Sequence, residues 1–137
     1  MFPSHDPVIG PEDLNDEFRL EFNDILEKPR GGGYWIWKFD IIKQNLLKLN
    51  NNDILVYLDS GCSININGEL RFNDYIEMLN NSDESIISFQ MTHQERKYTT
   101  KEIFNAINID VNNNGYSGQI MATVLIMKNT EKMMKMR

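Results

Sequence analysis

The sequence predicts a single α/β domain in which a mostly parallel central sheet is flanked by helices. Apolar runs of strand length alternate along the chain with helical patterns, which is the arrangement that crossover units produce. The run Ile54–Leu58 is apolar at every position, which is typical of a strand buried on both faces of a parallel sheet. The chain has 137 residues, of which 41% are hydrophobic and 25% charged, as expected for one compact domain.

The first half of the chain is predicted to form two helices and a strand. After a Gly-Pro pair, apolar residues recur at helical spacing, at Leu14, Phe18, Phe22 and Ile25. The segment 29–33, Pro-Arg-Gly-Gly-Gly, breaks this helix. A second helix is expected from about residue 38 to 49, and the strand Ile54–Leu58 follows it.

The second half is predicted to add two strands and two helices. In the first helix the spacing predicts that Phe72, Ile76 and Leu79 are buried, whereas Asn73, Glu77 and Asn80 are exposed. The shorter helix follows a capping box at residues 99–102, and Ile103, Phe104 and Ile107 form its apolar face. Strands are expected at residues 85–89 and 119–127, in one sheet with Ile54–Leu58 at its centre. Residues 128–137, rich in Met and Lys, are expected to be a frayed tail.

Charge and composition exclude several classes of function. The formal net charge is −6, and no basic stripe precedes the lysines of the last residues, which argues against binding to nucleic acid. The longest apolar runs are far shorter than the roughly 20 residues of a membrane span. Cys62 is the single cysteine, and the first residues lack the pattern of a signal peptide. We therefore expect a soluble, cytoplasmic protein.

Asp59 is the strongest candidate for chemistry, because it comes directly after the predicted buried strand. In open α/β sheets, ligands bind beyond the carboxyl ends of the strands, where a carboxylate can ligate a divalent cation beside a diphosphate. Gly61 would allow a ligand to approach the backbone closely. The alternative is that Asp59 only caps a turn or a helix.

A second candidate group lies around the glycine-rich segment. Trp35 and Trp37 offer flat surfaces for a base or sugar ring, and Lys38, near a helix start, is able to reach a phosphate. Packing in the core or at its rim is the alternative role of both tryptophans. We predict that Lys38 and Asp59 share one cleft, with one of these indoles in contact.

These segments match the ordered motifs of a known family. Residues 31–38 read Gly-x-Gly-Tyr-Trp-x-Trp-Lys, and residues 53–65 read Asp-Ile-Leu-x-Tyr-x-Asp-Ser-Gly-Cys-x-Ile-Asn. Shorter similarities continue at residues 71–76, 88–90, 97–104 and 119–122. The sequence resembles a group of capsule- and virus-type glycosyltransferases with the GT-A nucleotide-sugar fold, from about residue 10 to 130.

The resemblance implies transfer of a sugar from a nucleotide diphosphate to a glycan or other hydroxyl acceptor, assisted by Mn²⁺ or Mg²⁺. Asp59 would then lie near the metal and the ribose, while Gly61 replaces the family's usual second aspartate. Gln90 and His93 are candidates for the acceptor side, although a solvated loop is the alternative for His93. The family also has an opening strand and a later His-Arg-x-Asp-Gln segment, so the chain is expected to represent a partial domain.

Two alternatives to an active transferase remain open from the sequence. The first is a non-catalytic remnant of such an enzyme that binds a nucleotide or a partner. An α/β binding module unrelated to sugars is the second.

Overall fold

The computed structural model describes residues 8–114 and 117–134. Short helices dominate, and the strands form two small sheets. The helical segments are α1 (Asp16–Glu21), α2 (Asn23–Leu26), α3 (Gly31–Tyr34), α4 (Trp37–Lys48), α5 (Glu69–Asn80), α6 (Lys101–Ala106), α7 (Val111–Asn114) and α8 (Glu131–Met134). Of these, α3 is a left-handed turn rather than a right-handed helix. The strands are β1 (Ile54–Leu58), β2 (Ile86–Ile87), β3 (Gln90–Gln94), β4 (Gly118–Ile120) and β5 (Val124–Lys128). Single 3₁₀ turns lie at Pro11–Asp13, Ile66–Gly68 and Glu95–Lys97.

The sheet topology shows that the predicted fold class is wrong. One sheet has the order β1-β5-β2 and the other pairs β3 with β4, and every pairing is antiparallel. Among the described residues there is no parallel central sheet, so a GT-A fold is not what the chain forms here. The apolar run did identify a strand, but such a run carries no information about strand direction.

The predicted strand at 119–127 is split between the two sheets: its first residues belong to β4, which pairs with β3, and its last residues form β5, which lies in one sheet with β1 and β2. The central strand of that sheet is β5 rather than β1. The backbone N–H of Asp59 donates to the carbonyl oxygen of Thr123, and the backbone N–H of Asn129 donates to the carbonyl oxygen of Asp53. Because backbone groups alternate in direction along a strand, the odd-numbered residues of β1 form the hydrogen bonds to β5. The backbone groups of Ile54, Val56 and Leu58 point away from β5. All five residues of β1 are accordingly only half-buried, as an edge position dictates.

Helices cover both faces of the three-stranded sheet. Strand alternation places Val56 and Leu58 on one face of β1 and Tyr57 on the other. The first face borders α5, and the second face meets α4. The buried apolar side chains are Leu14, Ile41, Leu46, Leu79, Phe104, Ile126 and Met127.

Two buried polar side chains at the end of β5 form hydrogen bonds with the ends of the two long helices, α4 and α5. Lys128 Nζ donates to the carbonyl oxygen of Leu79 at 2.6 Å, near the carboxyl end of α5. Asn129 Nδ2 donates to the carbonyl oxygens of Leu49 and Asn50, just beyond α4, at 2.9 and 3.1 Å. Consecutive residues of an extended chain point to opposite sides, so each can satisfy the unpaired carbonyl groups of a different helix. Lys128 and Asn129, which the sequence assigned to a frayed tail, are therefore buried.

The helix predictions are confirmed only in part. In α5, Leu79 is buried, Phe72 and Ile76 are half-buried, and Asn73, Glu77 and Asn80 are exposed, as the spacing predicts. The predicted first helix is instead split at Phe22 into α1 and α2. In α6 only Phe104 is buried, whereas Ile103 and Ile107 are exposed. Short helices on a small domain leave part of an apolar stripe uncovered.

Within the described ranges, no helix combines the length and the apolar character that crossing a membrane requires.

Candidate functional site

An ion pair joins the two residues that the sequence predicted to share a cleft. Lys38 Nζ lies 2.8 Å from Asp59 Oδ1 and 2.9 Å from Asp59 Oδ2. The side chains retain 17% and 30% of their exposure, so the pair is largely shielded but accessible to a ligand. The predicted proximity is confirmed, but the parallel sheet on which the prediction relied is absent from the described residues. The two residues meet because α4 packs on the face of β1 that carries Asp59, rather than through consecutive units of a parallel sheet.

Tyr57 belongs to the same cluster and was not among the predicted site residues. Its hydroxyl group donates to Asp59 Oδ1 at 2.7 Å, and its ring centroid lies 5.6 Å from Lys38 Nζ. Tyr57 precedes Asp59 by two residues in an extended segment, so the period of two places both side chains on one face. That spacing was a signal in the sequence that would have identified it.

Trp37 supplies the indole that was expected beside Lys38. Its ring centroid lies 5.9 Å from Lys38 Nζ, a distance at which the ammonium group is attracted to the aromatic face. The exposed Trp35 instead lies beneath the guanidinium group of Arg30, at 5.8 Å, and covers Gly31. Of the two predicted indoles, only Trp37 is thus in contact with Lys38 or Asp59 in the structure.

We name Lys38, Asp59, Tyr57 and Trp37 the Lys38 cluster, and its electrostatics keep the carboxylate ionised. Partial burial opposes ionisation of Asp59, but hydrogen bonds from Lys38 and Tyr57 outweigh it and lower the pKa of Asp59 below its ordinary value. Burial, followed by the hydrogen bond to Asp59, raises the pKa of Tyr57 well above its ordinary value. At neutral pH the cluster therefore holds a carboxylate, an ammonium group and a protonated phenol.

The glycine-rich segment forms a left-handed turn that precedes the cluster. Gly31, Gly32 and Gly33 have φ of +62°, +54° and +84°, and Tyr34 and Trp35 continue the turn at +55° and +63°. Left-handed backbone costs roughly 1–2 kcal/mol per residue with a side chain, so glycines at the first three positions reduce the strain. Trp37 Nε1 donates to the carbonyl oxygen of Gly31 at 2.9 Å, and this bond fixes Trp37 at the start of α4.

The remaining predicted site residues lie apart from these contacts. Gly61 is exposed, and among the described atoms a Cβ added there would meet nothing within 4 Å, so the fold does not require glycine. Gln90 and His93 are exposed on β3 in the second sheet. Gln90 Nε2 donates to the carbonyl oxygen of Gly118 at 3.2 Å, and the ring of His93 lies 5.6 Å from that of Tyr98.

The donor set does not fit a divalent cation held by the chain alone. Across residues 8–114 and 117–134, no three His, Cys, Asp or Glu side chains are grouped as metal ligands. Asp59 is the one carboxylate of the Lys38 cluster, and both of its oxygens accept hydrogen bonds from Lys38. Mg²⁺ and Mn²⁺ require several oxygen ligands, which this arrangement does not provide.

A cavity of about 370 Å³ lies on the other face of β1, between the sheet and α5. Its walls come from β1, β5, α5, the loop after Asp59 and the link between β2 and β3. The lining residues are Val56, Leu58, Cys62, Ser63, Ile64, Phe72, Tyr75, Phe89, Val124 and Ile126.

Replacing Asp59 with asparagine is expected to lower the free energy of unfolding by about 1–2 kcal/mol at pH 7, because it removes charge-assisted hydrogen bonds at a partly exposed site. The folded-state pKa of Asp59 lies below the unfolded value of 3.8. Its contribution is therefore complete above pH 3.8 and is lost as the pH falls through the folded-state pKa. Urea unfolding followed by circular dichroism between pH 7 and pH 3 measures the difference between wild type and variant, which should shrink in acid.

Asp74→Asn is the matched control for Asp59→Asn, because Asp74 forms an exposed ion pair with Arg71 at 3.2 Å. Exposed pairs contribute about 0–1 kcal/mol, so this variant should stay close to wild type. A stability difference between wild type and Asp59→Asn that is constant from pH 7 to pH 3 would contradict the assigned electrostatics.

Comparison with protein-family models, with curated proteins and with solved structures gives no significant match to this chain.

Proposed function

We propose that the Lys38 cluster binds the diphosphate of a nucleotide sugar, and that the chain acts as a glycosyltransferase toward a glycan or other hydroxyl acceptor. The observation that carries this proposal is the ammonium group of Lys38, held 2.8 Å from Asp59 and flanked by the rings of Trp37 and Tyr57. The motifs at residues 31–38 and 53–65 support it, because they contain all four residues of the cluster.

The chemistry of Lys38 suits a diphosphate. An ammonium group has three donors, and the two hydrogen bonds to Asp59 leave one for a phosphate oxygen. Asp59 holds the amine in place, so little side-chain entropy is lost when a phosphate binds. A fixed cation at the leaving group stabilises the charge that develops as the bond from sugar to diphosphate breaks.

Asp59 has an orienting role in this proposal. A carboxylate whose pKa is lowered is a weak base, so it is poorly suited to remove a proton from the acceptor hydroxyl group. It instead positions Lys38 and offers its remaining lone pairs to a ribose hydroxyl group. Trp37 provides a flat apolar surface against which a sugar or base can stack. The proposed setting is the cytoplasm, where a single reduced cysteine is common.

A nucleotide-binding module without catalysis is the second candidate function. It is favoured by the composition of the cluster, in which the one carboxylate is already engaged by Lys38. Turnover separates the two candidates. A transferase releases nucleoside diphosphate from a donor sugar, whereas a binding module retains the donor intact.

Isothermal titration with UDP-, GDP- and dTDP-linked hexoses, with and without Mn²⁺, tests binding directly. We expect Asp59→Asn to weaken donor binding by about 1–3 kcal/mol both with and without Mn²⁺, because Lys38 loses the carboxylate that positions it. Lys38→Ala should weaken binding at least as much, because it removes the cation that acts on the phosphate itself. Release of nucleoside diphosphate in the same samples reports transfer or donor hydrolysis.

Lys43→Ala is the matched control, since Lys43 is an exposed lysine of the same helix and its Nζ lies 5.9 Å over the ring of Phe39. Equal losses in Lys38→Ala and Lys43→Ala would point to a general charge effect and against a site at Lys38. Wild-type protein that binds none of the donors, with or without Mn²⁺, would contradict both candidate functions.

A further inference from the structure

The cavity between α5 and the three-stranded sheet has a volume suited to a small ligand. Its volume of about 370 Å³ falls within the roughly 300–1,000 Å³ of typical ligand pockets. It is also more than twice as large as an engineered apolar cavity of about 150 Å³ that holds one benzene ring. The volume is therefore sufficient for a bicyclic ring system.

The walls of this cavity define the chemistry of its occupant. Among the described residues of the lining, only Cys62, Ser63 and Tyr75 bring polar side-chain atoms, and none is charged. A water molecule there would find few of the two to four polar partners that stabilise buried water. An ion would lose its hydration without compensation. Both considerations favour a neutral apolar molecule over water or a charged ligand.

Aromatic side chains shape one end of the cavity. The rings of Tyr75 and Phe89 meet edge to face, with centroids 5.5 Å apart and an interplanar angle of 75°. Phe72 lines the same space. Aromatic rings favour such tilted contacts with further rings, so the walls suit an aromatic ligand better than a branched aliphatic one.

The cavity connects the surface with the core. Ser63 and Ile64 on its lining are exposed, whereas Ile126 retains only 2% of its exposure. A small molecule can therefore enter from solvent and reach the buried side of the sheet.

We propose that this cavity is a binding site for a neutral bicyclic aromatic ligand. The site lies on the face of β1 opposite the Lys38 cluster, and it does not depend on the function proposed for that cluster.

Indole is the test ligand, and Cys62 is the reporter, because it is the single cysteine of the chain and lines the cavity. At an indole concentration about ten times the dissociation constant, occupancy should slow the alkylation of Cys62 by iodoacetamide about tenfold. Indole-3-acetate has the same ring system and a negative charge, and it should bind at least about tenfold more weakly because no lining residue that the structure describes is a cation.

Val56→Phe and Val124→Phe each place a ring in the cavity and should abolish the protection of Cys62 by indole. Leu47→Phe, at an exposed position of α4, should leave the protection unchanged. Circular dichroism establishes that each variant is folded.

A measurement on the wild type alone makes the test independent of the variants. Nuclear Overhauser contacts between indole ring protons and the methyl groups of Val56, Val124 and Ile126 are expected. Absence of those contacts, unchanged alkylation of Cys62, or equal binding of indole-3-acetate would overturn the proposal.

Discussion

Replacing Leu79 with alanine should lower the free energy of unfolding by about 2–5 kcal/mol, the range measured for buried leucines. Leu79 retains 1% of its exposure on the inner face of α5, and its backbone carbonyl group accepts the hydrogen bond from Lys128. The substitution removes apolar contacts and opens a void next to a buried ammonium group. Urea unfolding followed by circular dichroism gives the difference.

The neighbouring residue provides the control for Leu79→Ala. Met78 lies on the same helix with 59% exposure, so Met78→Ala should change the stability by no more than about 0.5 kcal/mol. Similar effects of the two substitutions would show that α5 does not pack on the sheet in the described orientation.

Replacing Gly33 with alanine is expected to destabilise the protein by about 2–5 kcal/mol, since two costs combine. The residue has φ of +84°, where a side chain strains the backbone. A Cβ there would also lie 2.7 Å from the Cα atom of Leu26 and 2.9 Å from the carbonyl oxygen of Ile25. Both obstacles are backbone atoms, so they cannot move aside as a flexible side chain would. Thermal and urea unfolding measure the loss.

Gly32→Ala separates these two costs. Gly32 has φ of +54°, but an added Cβ would find its nearest neighbour, Trp37 Nε1, at 3.9 Å. Only the conformational cost of roughly 1–2 kcal/mol remains. If Gly33→Ala were no more destabilising than Gly32→Ala, the close packing of the left-handed turn against α2 would be wrong.

The sequence predicted the residues of the candidate site more completely than it predicted the topology of the sheet. Asp59 follows an apolar strand and Lys38 begins a helix, and these local features identified both residues as candidates, whereas their contact depends on the packing of α4 on β1. Tyr57 could also have been predicted, because side chains two residues apart in a strand lie on the same face. Gln90 and His93 could not be assigned, because their location depends on β3 pairing with β4 across a separation of more than 20 residues.

Sequence patterns predicted local structure because side-chain spacing, apolar runs and glycine backbone freedom act over only a few residues. The spacing of Phe72, Ile76 and Leu79 determined which side of α5 faces inward, and the uniform apolar character of Ile54–Leu58 determined a strand. The three glycines at 31–33 determined a break before α4, although the left-handed form of that break follows from the φ values.

Tertiary structure alone decided the direction and the order of the strands. An apolar run records how much surface a strand must bury, but it does not record which strand lies beside it or how that strand runs. β5 occupies the centre because it pairs with β1 on one side and β2 on the other, while Lys128 and Asn129 at its end donate to the carbonyl groups that end α5 and α4. These bonds join residues that are distant in the sequence, and for that physical reason no local pattern encodes them.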